Sequence, residues 1–246
     1  MHSHHRFVFR RKDNVNTMKI GHVGVVQSYL KTYTAELFNK IMQNEVIGLP
    51  TKAPTAAPTA VPTNTLSTTL VFDNDSLKTA VNEWISNKEE AMNKYGDIQH
   101  WNTGEVTSMN QLFSNKITFN DNVSKWDTSS VSDMYGMFYL NKAFDIDLSS
   151  WDTSNVTDMS AMFLHAYVFN QDVSTWNVAE ATNVHNMFAQ AWQFNQNISG
   201  WNISKVSRMG FMFYKAHALN QRLCWNVDGK VVGNMFSYSP GSIGCD

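Results

Sequence analysis

Few side chains in this 246-residue chain are suited to covalent or metal chemistry, and their spacing limits what they can do. His100, His165, His185 and His217 are candidates for proton transfer or metal ligation, yet they stand one before, and fourteen, nine and sixteen after, their local tryptophans. Regular stacking of the repeat described below would not gather them into a ligand set, so they read as surface or turn histidines. Asn122, Asp147, Asp172 and Asn197, with Asp145 nearby, offer the oxygen donors calcium prefers, but without an EF-hand loop or a glycine-rich calcium repeat. The chain has no G-x-S-x-G, H-E-x-x-H or C-x-x-C motif and no glycine-rich phosphate loop. The sequence therefore predicts a protein that is not an enzyme and has neither cofactor nor metal site.

Binding chemistry is better represented. Thr107, Ser132, Thr157, Thr182 and Ser207 recur every 25 residues, and stacking would set their hydroxyls about 4.8 Å apart as a flat uncharged strip for a glycan or other regular polymer. A parallel column, read as outward-facing too, begins Thr103, Thr128, Thr153 but continues as Val178 and Ile203, which argues against a strict ice- or mineral-matching array. Tyr135, Tyr139, Tyr167, Trp192, Phe211 and Tyr214 lie outside the repeating apolar columns and suit either an interaction hot spot or a second packing layer. The candidate binding face is the hydroxyl column together with Tyr139, Tyr167, Trp192 and Tyr214.

The elements that position these groups follow from one periodicity. Trp101, Trp126, Trp151, Trp176 and Trp201 are spaced by 25, and Trp225 follows after 24. Valine or alanine recurs five steps on, methionine or valine eight steps on, and a Leu-Phe or Met-Phe pair at eleven and twelve. A unit of this size cannot bury its own apolar side, whereas stacked units turn each column into a continuous ladder. The pattern predicts an α/β repeat solenoid of about five coils over 98–222, with the six tryptophans as an inward ladder. Each coil would hold a short parallel strand at VTDM and short helical turns around MSAMFLHA. The column Asn120, Asp145, Asn170, Asn195, Asn220 is expected to satisfy buried backbone groups between coils.

The ends need covers. NDSLKTAVNEWISNKEEAMNKYG predicts an N-terminal capping helix within 71–97, with Asn74 or Asp75 as its cap and Gly96 as its stop. Residues 223–246 form a degenerate C-terminal cap, in which Cys224 and Cys245 are a candidate disulfide. Ahead of the capping helix, 49–70 is a Pro/Thr-rich linker, and 1–48 is a basic segment, partly helical or disordered. Its apolar stretch IGHVGVVQSYL is interrupted by polar residues and lacks a small-residue cleavage site, so it does not read as a clear signal peptide. N-x-S/T sequons at Asn74, Asn122, Asn155, Asn197 and Asn202 are candidate glycosylation sites, although the repeat's turn chemistry generates the same pattern.

Composition narrows the partner. Hydrophobic residues make up 43% and charged residues only 16%, against roughly 25% charged in an average domain. A net charge of -2 gives no global electrostatic case for nucleic acid. With a mean hydropathy of -0.33, no apolar run reaches the roughly 18 residues of a transmembrane segment.

The units WDTSNVTDMSAMF and FNQDVSTW resemble those of BspA-like leucine-rich-repeat surface proteins, in the branch described as a mycoplasma-type repeat, from Ile98 to about Phe236. The resemblance implies a leucine-rich-repeat-like fold and an extracellular or cell-surface, non-enzymatic scaffold for adhesion or partner binding, with no shared catalytic residue. The expected partner is a protein or a glycan. The alternative is a self-assembling structural matrix protein or, further off, an ice- or mineral-binding solenoid.

Overall fold

The computed structural model describes residues 70–245; the expected N-terminal segment and Pro/Thr linker lie outside the described residues, apart from residue 70. Helix α1 (Asn74–Ser86) begins at Asp73, one residue before the expected cap. Asp73 accepts from the Ser76 backbone N–H while the Ser76 hydroxyl takes the Asp73 N–H, a reciprocal box that satisfies two orphan donors. The helix is not continuous to Gly96. Asn87 ends α1 and its side chain caps α2 (Lys88–Tyr95), so the break comes from local side-chain competition for backbone N–H groups. Leu77, Ala80, Val81, Trp84 and Ala91 face inward, whereas Ile85 and Met92 are exposed.

From Trp101 onward the buried side chains recur at the 25-residue period. All six ladder tryptophans are buried, and in the middle four the indole N–H donates to the backbone one repeat earlier: Trp126 to Ile98 O at 2.7 Å, Trp151 to Val123 O at 3.1 Å, Trp176 to Leu148 O at 3.0 Å and Trp201 to Val173 O at 3.0 Å. Phe113, Phe138, Phe163, Phe188 and Phe213 stack from repeat to repeat with centroids 5.5 to 5.9 Å apart. These separations lie in the range preferred by offset aromatic pairs.

Regular secondary structure in the repeats is sparse. A single parallel bridge per repeat links Ser108, Asp133, Asp158, Asn183, Arg208 and Val231, in place of strands of several residues. The segment around each Met-Phe pair is not helical either; it is a chain of overlapping turns. In the third repeat, the N–H groups of Met162, Leu164 and Ala166 bond three residues back, to Met159, Ala161 and Phe163. The alternate N–H groups of Met159, Ala161, Phe163 and His165 instead donate to Asn183, His185, Met187 and Ala189 of the next repeat. Half of the local N–H groups are thus committed to a neighbour, which excludes an α-helical ladder. The geometry also requires positive φ at two columns, occupied by Gln111, Gly136, Ala161, Asn186 and Phe211 and by Asn115, Leu140, His165, Gln190 and Lys215. Gly136 escapes the usual cost of that region, and Asn115 and Asn186 bear it more easily than the other seven.

The same four bonds join every consecutive pair of repeats, at 2.7 to 3.1 Å. Their peptide groups all point one way along the stack, N–H toward the C-terminal end. A single opposed column passes through Thr107, Ser132, Thr157, Thr182 and Ser207, and a partial one joins Ala143 to Ile117, Gln193 to Tyr167 and Ala218 to Trp192. In the last repeat the equivalent donors, the N–H groups of Val232, Asn234, Phe236 and Tyr238, have no partner among the described residues.

Asparagine holds the repeats together elsewhere. The Oδ1 atoms of Asn120, Asp145, Asn170 and Asn195 accept the N–H of Asp145, Asn170, Asn195 and Asn220 respectively, at 2.8 to 3.0 Å. This column bridges repeats as expected, but it stands at the surface rather than in the core. A different amide is buried: Asn141 is 0% exposed, and neither its Oδ1 nor its Nδ2 has a partner. The equivalent residues in the next three repeats are Ala166, Ala191 and Ala216, all buried.

At the N-terminal end, Asn74 Oδ1 accepts the N–H groups of Thr107 and Ser108, and the Trp84 indole donates to Asp121 at 2.7 Å. At the other end, β1 (Arg222–Leu223) pairs in parallel with β2 (Ser242–Ile243), and Cys224 and Cys245 are disulfide-bonded. The Lys230 ammonium takes the carbonyls of Ile203 and Val206, while the indole N–H of Trp225 is buried without a partner. The tryptophan ladder loses its hydrogen bond where the spacing drops to 24.

Candidate functional site

The two hydroxyl columns part company. Thr107, Ser132, Thr157, Thr182 and Ser207 are exposed. The last four donate their hydroxyls to the carbonyl of the equivalent residue one repeat back, as in Thr157 to Ser132 O at 3.1 Å. Thr103, Thr128 and Thr153 are buried, and they donate to the carbonyls of Asp127, Asp152 and Asn177 at 2.8 to 3.0 Å. The expectation that this column faces outward is therefore corrected. Val178 and Ile203 continue it because the position is interior, and a buried threonine is tolerated there only while its hydroxyl has a carbonyl to meet.

The carboxylate and amide row Asn122, Asp147, Asp172, Asn197 turns its oxygens inward on its own chain: each Oδ1 accepts the N–H of the serine two residues on. Hydrogen bonds from the Ser174 hydroxyl and then its N–H hold the Asp172 carboxyl below its ordinary range. Among the described residues no cluster of histidine, cysteine and acidic side chains could hold a metal ion. All five sequon asparagines are exposed, but Asn74 and Asn155 spend their Nδ2 groups on Thr107 Oγ1 and Ser129 O.

Aromatic side chains cluster on the outer turn face. Tyr167 lies flat on Trp192, with centroids 3.9 Å apart and planes 4° apart. His165 bridges Tyr139 and Tyr167 at 6.1 and 5.9 Å, and His217 stands 6.2 Å from Trp192. Lys142, from the preceding repeat, places its ammonium 5.3 Å over the Tyr167 ring. Lys142 and Trp192 thus both pack against the Tyr167 ring. Trp192 remains 40% exposed. Tyr214 joins a second group, 5.8 Å from Phe211 and 5.7 Å from Tyr238, with Lys215 over both tyrosines. Tyr139 also lines a depression of about 470 Å³ shared with Gln111, Tyr135, Asp158, His185 and Arg208.

Of the nine residues expected to form the binding face, Tyr139, Tyr167 and Trp192 are brought together, Tyr214 belongs to the neighbouring group, and the five hydroxyls make a separate row. Sequence spacing alone missed the histidines. His165 is half-buried with its Nδ1 enclosed and unpartnered, and burial, helped by the Lys142 charge, pushes its pKa down. Burial and Arg208 do the same to His185. The signal was present in offsets of one or two columns: His165 follows Tyr139 by one repeat plus one and precedes Tyr167 by two.

A family model described as Mycoplasma protein of unknown function, DUF285, matches residues 76–191 and again 149–241. The chain belongs to this family. The two matches overlap across the middle repeats of the DUF285 region, as expected when one register can be laid on a periodic chain twice. No curated protein and no solved structure matches the chain. The DUF285 matches begin inside α1 and end beyond the last tryptophan, just short of β2 and Cys245.

Proposed function

We propose that this DUF285 chain is a non-enzymatic interaction scaffold, a leucine-rich-repeat-like solenoid of the BspA type displayed outside the cell, which binds a protein partner through its outer turn face. The observation that carries the reading is the surface row of half-buried Tyr139, His165 and Tyr167 with exposed Trp192, held on a frame whose repeats are locked by four backbone bonds per junction. Tyrosine and tryptophan with few rotatable bonds are favoured at hot spots, and a rigid frame spares the entropy of ordering them on binding. A glycan is the weaker partner, because sugar rings stack on open aromatic faces and the Tyr167 ring already packs against Trp192 and Lys142. The Cys224–Cys245 disulfide supports an oxidising compartment.

The test compares the full chain with a Tyr139→Ala/Trp192→Ala variant of unchanged melting temperature, each immobilised and screened against extracellular proteins and glycans. A protein ligand held by the parent and lost by the variant supports the reading. Ligands retained equally by both overturn it. Protease shaving of intact source cells tests surface display separately, by release of the chain.

A further inference from the structure

Charge is distributed unevenly around the repeats. The five turn segments 110–118, 135–143, 160–168, 185–193 and 210–218 contain no aspartate or glutamate, although residues 97–246 carry 13 in all. The basic residues of those segments are Lys116, Lys142, Lys215, His165, His185 and His217. None of the three lysines has a carboxylate partner among the described residues. Lys116 donates to Asn82 Oδ1 at 3.1 Å, Lys142 lies over Tyr167, and Lys215 stands 5.0 and 5.7 Å from the Tyr214 and Tyr238 rings. The ion pairs of the described residues, Lys88–Asp121, Lys94–Glu83 and Lys205–Glu180, are all elsewhere. Asp133 and Asp158 border the strip and keep their charge, with their oxygens bound to neutral donors. Asp133 accepts from Tyr135 N–H, Asn110 Nδ2 and the Ser108 hydroxyl; Asp158 accepts from the N–H and hydroxyl of Ser160 and from Asn183 Nδ2.

We propose that this strip docks an acidic segment of a partner protein. The proposal rests on the reading of the same face as an interaction surface, and adds the chemistry of the partner. Carboxylates approaching the strip meet cations that need not give up an ion pair first, and they meet no like charge among the turn segments. The rest of the repeat region, rich in aspartate, repels the same segment, so the charge pattern selects the face as well as the partner. The edges of Tyr167 and Trp192 lie between the lysines in the repeat order and suit apolar side chains interspersed with the acids.

The test uses the full chain with poly-L-glutamate as the probe, and poly-L-lysine and dextran sulfate as comparators. Poly-L-glutamate is expected to bind, and to weaken by at least about tenfold between about 0.01 and 1 M salt, over which the screening length falls from roughly 30 to 3 Å. Lys142→Glu/Lys215→Glu is expected to lower affinity by at least about tenfold, while Lys125→Glu/Lys205→Glu, the same change in net charge off the strip, moves it by less than about twofold. Equal losses in the two variants would reduce the effect to net charge and overturn the proposal. So would absence of poly-L-glutamate binding, or binding of dextran sulfate alone. If the acidic probe fails while Tyr139→Ala/Trp192→Ala still abolishes binding of a protein ligand, the acidic assignment falls and the interaction face stands.

Discussion

Replacing Asn141 by alanine should make the protein more stable. The side chain is 0% exposed, and both its polar atoms lack partners, whereas the next three repeats carry alanine at the same position without exposing it. A buried polar group left unsatisfied costs about 1 to 3 kcal/mol relative to one that is absent. Against this, removing the amide leaves a space of roughly 35 Å³, which at about 24 cal/mol per Å³ costs about 0.8 kcal/mol. The balance is a gain of about 1 kcal/mol, or about 2 to 4 °C in melting temperature for a domain of this size. The reciprocal change, Ala191→Asn, inserts the same unpartnered amide two repeats later and adds overpacking, so it should destabilise by more than about 2 kcal/mol. Both variants can be followed by calorimetry and by urea titration with a fixed slope. A lower melting point for Asn141→Ala, together with a neutral Ala191→Asn, would refute the account of this column as dry and apolar.

Three further outcomes are expected. Trp151→Ala removes a buried ring and one of the two hydrogen bonds to the Val123 carbonyl, and should cost about 3 to 5 kcal/mol in chemical denaturation; a variant that unfolds with the parent would contradict the inward ladder. Cys224→Ser/Cys245→Ser opens a 21-residue separation and should lower stability by about 2 to 4 kcal/mol, with loss of protection from hydrogen exchange first at Arg222–Leu223 and Ser242–Ile243. His165 has a folded pKa below its ordinary value, so the unfolded chain binds the proton more readily, and stability should be full above the ordinary histidine range and fall as pH drops through it toward the folded pKa. His165→Gln should flatten that slope, with His185 accounting for part of the remainder; an unchanged slope would show that His165 does not carry it.

The repeat was legible because tryptophan, methionine and phenylalanine keep their register through five units, and burial follows that register closely. What escaped was conformation that leaves little mark on residue type. The two positive-φ columns hold leucine, histidine, phenylalanine and lysine as well as glycine, so spacing three and four around the Met-Phe pair reads as helix when the backbone is a run of turns. Thr103 read as outward because threonine suits an exposed strand; its inward place is set by the Asp127 carbonyl one repeat away, a long-range partner that no local pattern encodes. Asp73 lay one residue outside the expected cap; its reciprocal bonds with Ser76 make it the cap, while the Asn74 side chain is spent on Thr107 and Ser108. On the outer face the aromatic members were nameable from sequence, but the histidines between them were not, because each occupies a different column.

The open row of N–H groups at Val232, Asn234, Phe236 and Tyr238 bears on how the molecule avoids sticking to strands it should not meet. An ordinary β-strand presents donors and acceptors alternately along its edge, so two such edges can always be slid into register. Here every group in the row is a donor, and a strand laid against it would oppose N–H to N–H at every second step. Among the described residues, the direction of the peptide groups in this row disfavours pairing with a generic β-strand edge, without charge or proline being needed for it.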